Sequence, residues 1–171
     1  MATASTAIGP TAYRTFSPKL APTLTALGAL LTIAGGLGTW IRATEIQAEG
    51  GDPIEVARVM GFSEGEGWGL AALGLAALVA ALTWSVRSLL PKAAPILASA
   101  ALVGFIGWRL SVLDQRAATM ADQARAAPDF FSFHAGFGWG AWLMLFAAVL
   151  LGLSIVVGVL RELDLRTRGS V

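Results

Sequence analysis

Apolar residues in this chain come in long blocks, not at the spacing of a half-buried helix or strand. Four stretches carry no charged side chain: residues 20–41, 67–86, 93–108 and 135–160. A helix rises about 1.5 Å per residue, so crossing a hydrocarbon core of about 30 Å takes roughly 20 residues. The first, second and fourth stretches are long enough outright. The third reaches that length by running on to residue 113, with Arg109 snorkelling its guanidinium toward the headgroups. Soluble buried helices are the alternative. Four such runs in 171 residues would leave too little polar surface to cover them. The pattern therefore predicts an all-α integral membrane protein with four transmembrane helices arranged as two tandem hairpins.

Polar residues between the blocks divide the rest. Residues 1–19 form an N-terminal segment, residues 20–161 the four-helix domain with external loops at about 42–66 and 109–135, and residues 162–171 a tail. A secretory signal peptide would have an apolar region of about 7–15 residues. The first block is longer and follows nineteen more polar residues, so it reads as a signal-anchor span. In the first loop, DPIEVARVMG (52–61) predicts a short external helix: Asp52 as N-cap, Pro53 at the first position, Glu55 closing a capping box and Gly61 as the stop. In the second, LDQRAATMADQARAAP predicts that the third helix continues outward for several turns before Pro128. The aromatic run DFFSFHAGF follows, in which Phe130, Phe131 and Phe133 read as an interfacial anchor.

Composition supports lipid as the solvent: 56% of residues are hydrophobic, only 13% are charged, and the mean hydropathy is +0.69. The net charge of +1, without a basic patch, gives no sign of nucleic-acid binding. There are no cysteines, which excludes disulfides, iron–sulfur clusters and thiol catalysis. Charge placement sets the orientation. Arg14, Lys19, Arg87, Lys92, Arg161, Arg166 and Arg168 occupy the N-terminal segment, the 87–92 turn and the tail, beside only Glu162 and Asp164. The two longer loops carry five basic residues against nine acids. The positive-inside rule puts both termini in the cytoplasm and both long loops outside. Ten Arg to two Lys in an Ala- and Gly-rich background reads as the coding bias of a GC-rich bacterium, hence a bacterial plasma membrane.

The pentapeptide GEGWG (65–69) returns as GFGWG (136–140), and residues 65–82 align with 136–153 at a shift of 71. GTWIR (38–42) and GWR (107–109) rhyme in the preceding spans, which points to duplication of a whole hairpin. Gly65/Gly69 and Gly136/Gly140 are small-xxx-small pairs suited to close helix packing, as are Gly38, Gly104 and Gly152 with neighbouring alanines. Trp40, Trp68, Trp108 and Trp139 fall at the outer ends of the four spans and predict an interfacial belt. No strand precedes the glycines and no Lys follows, so they do not form a nucleotide loop.

Candidate chemistry is sparse. His134, the only histidine, could ligate haem, hydrogen-bond a quinone or respond to pH, although the simpler reading is an interfacial imidazole bonded to backbone or water. Arg42 and Arg109, at matching repeat positions, could clamp an anionic headgroup. The simpler expectation is snorkelling or pairing with loop acids, Asp114 among them. The six acids Glu45, Glu49, Asp52, Glu55, Glu64 and Glu66 fit no calcium loop and read as a solvated cap. No cofactor, metal site or catalytic residue is predicted. The leading expectation is a non-catalytic accessory or scaffold subunit packing against other membrane subunits or itself. The alternative is a module that binds or transports a lipid, quinone or other apolar ligand.

Overall fold

The computed structural model describes Ser17 and residues 19–45, 52–82, 89–126 and 133–169, with side chains outside 89–92 and 164–169. Arg14, Arg87, Glu49, Pro128, Phe130 and Phe131 lie outside the described residues. Four helices dominate: α1 (Leu20–Leu37), α2 (Gly65–Ala81), α3 (Leu89–Arg125) and α4 (Trp139–Gly169). Three helical segments are long and apolar enough to cross a membrane: Leu20–Leu37, Ala93–Arg125 and Trp139–Leu163. The described part of α2 is a shorter apolar helix of 17 residues.

The all-α expectation requires correction. Strands β1 (Thr39–Glu45), β2 (Ile54–Met60) and β3 (Phe133–Phe137) form an antiparallel sheet in the order β2-β1-β3. The helix expected over 52–61 is instead β2, entered from Asp52 and Pro53 and followed by a single 3-10 turn, Gly61–Ser63. The capping signals at Asp52 and Glu55 are local and worth about 1 kcal/mol. A helix that short is marginal without tertiary support. Ile54, Val56 and Val59 are β-branched, and pairing with β1 satisfies the backbone groups along the edge that faces it. The first apolar block is divided for the same reason. α1 stops at Leu37, Gly38 takes an extended conformation and donates its N–H to the Gly35 carbonyl at 3.1 Å, and Thr39, Trp40 and Ile41 enter β1.

α1 packs against both α2 and α4, and α3 packs against the same two, closing a four-helix bundle. Small residues let these axes approach. A Cβ on Gly28 would meet the Leu151 side chain, and one on Gly74 would lie 3.0 Å from the Ala29 carbonyl. Near the N-terminal end of α1, the hydroxyls of Thr25 and Ser154 meet at 2.5 Å, and Ser154 Oγ also donates to the Ala21 carbonyl at 3.0 Å. The extension of α3 past its apolar block is present: 37 residues make a helix about 55 Å long. The helix also carries the sheet through contacts to β3 and β1.

Candidate functional site

At the sheet end of the bundle a charged side chain is shut away from solvent. β1 is irregular between Thr39 and Ile41, which pair with Met60 and Val59 respectively. The intervening Trp40 turns into the core, fully buried. Its indole Nε1 donates to the Gly35 carbonyl at 2.9 Å, and its own carbonyl accepts the Gly138 N–H at 2.8 Å. The Arg109 guanidinium carbon lies 4.5 Å from the centroid of the Trp40 ring system, and the Arg109 side chain is 0% exposed. Its Nη2 is 2.5 Å from Oε2 of Glu66, in the first turn of α2. Seven residues further along α3, Arg116 lies 3.7 Å from Glu64, with buried Leu113 between the two arginines.

Burying a guanidinium costs several kcal/mol unless a counter-charge and further contacts offset it. Here the offset comes from Glu66 and the face of Trp40, while Nε and Nη1 find no protein hydrogen-bond partner among the described residues. The carboxylate also sits at a helix N-terminus, where the peptide dipoles favour negative charge. Three elements are thereby tied at one point: β1 through Trp40, α2 through Glu66 and α3 through Arg109.

The other candidate residues fall elsewhere. Arg42 and His134 are exposed, while Ile41 and Ala43 on the opposite face of β1 are buried. Arg42 pairs with Glu55 at 2.8 Å, and Arg58 approaches the same carboxylate at 3.8 Å. His134 stands across from Thr44 in the β1–β3 register. Arg42, Arg109 and His134 therefore do not converge: Arg109 is enclosed within the bundle end and the other two face outward. The nearest counter-charge to Arg109 is Glu66 and not Asp114.

Of the four tryptophans placed in a belt, Trp68, Trp108 and Trp139 are more than half exposed. Trp68 Nε1 donates to the Phe62 carbonyl at 3.0 Å. Trp40 departs from the belt because the bulge turns it inward. The glycines also divide. Gly140 and Gly38 lie at the α1–α4 contact, where a Cβ on Gly140 would come within 2.8 Å of the Gly35 carbonyl and one on Gly38 would strike Trp139. Gly65, Gly69, Gly104, Gly136 and Gly152 face open space. In each pentapeptide the middle glycine makes a close approach. A Cβ on Gly67 would run into the carbonyls of Gly61 and Gly36, and one on Gly138 into that of Thr39.

Glu66 and Trp40 were not legible as partners of Arg109. The available signal was Arg109 itself, a lone charge in an otherwise apolar run, which requires a counter-ion from another element. Among the described residues, no three His, Asp or Glu side chains gather as metal ligands. Compared with known proteins, the chain matches no family model and no curated protein by sequence.

Proposed function

We propose that this chain is a small polytopic protein of a bacterial plasma membrane, crossing it four times with both ends in the cytoplasm. We infer that it is a non-catalytic accessory or scaffold subunit. α2 serves as the fourth span, and the sheet with the outer part of α3 forms an external lobe. The observation carrying this reading is the distribution of apolar surface. Leu30, Leu75, Val79, Phe146, Val149 and Val156 are each at least half exposed, while glycines and alanines close the interior. Such a body presents its greasy side chains to lipid and to neighbouring helices. Arg109, one of the candidates for ligand contact, has the Glu66 carboxylate and the Trp40 face against its guanidinium. The Gly-x-Gly-Trp-Gly segments each fall at the start of a helix, the first wholly within α2 and the second running from the end of β3 into α4, and their shared sequence favours an origin by hairpin duplication.

Two experiments test this reading. Single cysteines introduced by Ser17→Cys, Arg58→Cys and Ser88→Cys should divide in labelling with an impermeant maleimide. Arg58→Cys should react in intact cells, and the other two only after permeabilisation. Labelling of Ser88→Cys from outside would remove α2 as a span. The tagged full-length chain, extracted in mild detergent, should elute with a second membrane polypeptide at fixed stoichiometry. Elution without any protein partner, including a second copy of itself, overturns the scaffold assignment.

A further inference from the structure

At the end of the bundle opposite the sheet, the packing between α1 and α2 opens into a groove of about 670 Å³. The first two turns of α1 contribute Pro22, Ala26 and Leu27, and the last turn of α2 contributes Leu78, Val79 and Leu82. Leu27, Val79 and Leu82 are 48%, 58% and 74% exposed, so these walls are apolar and open. One charged side chain, Lys19, is found among the lining residues. It stands at the N-terminal boundary of α1, whose first turn carries no acidic residue to compensate the positive end of the helix dipole. Among the described residues no carboxylate pairs with its ammonium group.

Apolar walls with a single cation at one end select the occupant. From Lys19 to Leu27 the groove wall runs about 12 Å along α1, close to the depth of one leaflet of a core about 30 Å thick. An alkyl chain fits, and the cation at one end complements a phosphate.

We propose that this groove holds one acyl chain of an acidic phospholipid, with the phosphate seated at Lys19 and the α1 N-terminus. The site lies apart from Arg109 and stands whether or not the chain is a scaffold subunit.

The full-length protein, reconstituted in nanodiscs of equal phosphatidylglycerol and phosphatidylcholine, is extracted in mild detergent and its retained lipids are counted by native mass spectrometry. The wild type should keep about one lipid per chain, with phosphatidylglycerol favoured about fivefold, as one lysine near an acidic headgroup gives. Lys19→Gln should bring that preference close to one, and Lys19→Arg should preserve it. Ala26→Trp, which fills the groove, should remove both lipids while leaving the thermal unfolding midpoint in place. Equal retention of the two lipids by the wild type overturns the proposal. So does an unchanged preference in Lys19→Gln, or full retention in Ala26→Trp.

Discussion

A guanidinium enclosed at the end of a helical bundle is held by the groups that touch it, and Arg109 has two: the Glu66 carboxylate and the Trp40 ring. The partners are unequally placed. Arg109 is 0% exposed at its side chain and Glu66 is 40% exposed. That asymmetry makes a prediction. Glu66→Gln leaves a buried cation with only the Trp40 face against it and should cost about 2 kcal/mol, less than the 3–5 of a fully buried pair because the Glu66 side chain is partly exposed. In a domain of this size that lowers the unfolding midpoint by roughly 4–8 °C. Arg109→Met strands a carboxylate that water can solvate and should cost about half as much. The double variant should lie nearer the wild type than Glu66→Gln does. Thermal unfolding of all four proteins in one detergent measures the cycle, and additive losses would show that the two side chains are uncoupled.

The elements were legible in the sequence to different degrees. Long uncharged runs announced the helices because a continuous apolar stretch of that length suits a helix, whose backbone bonds are satisfied internally. The continuation of α3 past its apolar block was legible from helix-forming residues such as Ala117, Ala118, Met120 and Ala121. The sheet was not. Trp40 and Ile41 continue the apolar run of α1 without a break in polarity, and β1 finds β3 across two intervening helices. In β2 a capping box competed with β-branched residues, and pairing with β1 prevailed. The pentapeptide repeat was visible, yet sequence spacing drew attention to its outer glycines, of which only Gly140 makes a close approach, whereas both middle glycines do. Gly67→Ala should therefore prevent close contact between α2 and the Gly61 turn, giving little folded protein by size-exclusion chromatography. Gly69→Ala should be neutral or stabilise by about 0.5–1 kcal/mol, as a helical alanine does over glycine. Equal behaviour of the two variants would contradict the packing described.

For the whole molecule the decisive question is what surrounds the bundle. Val149 lies near the middle of the apolar part of α4 and is 55% exposed. Against lipid, Val149→Asp should reduce insertion by about 2.5–3.5 kcal/mol, seen as a smaller alkali-resistant membrane fraction. Against water the same change would be close to harmless. The architecture also has a mechanical side. α3 reaches from beside the groove end of the bundle to the sheet, and from Arg109 to Arg125 it continues about 24 Å beyond the enclosed charge. β3 leans on that outer length while α2 and α4 grip the inner one. One rod thus joins the lobe to the bundle. A sideways force on the sheet becomes torque on the core, with the Arg109 clasp as its fulcrum.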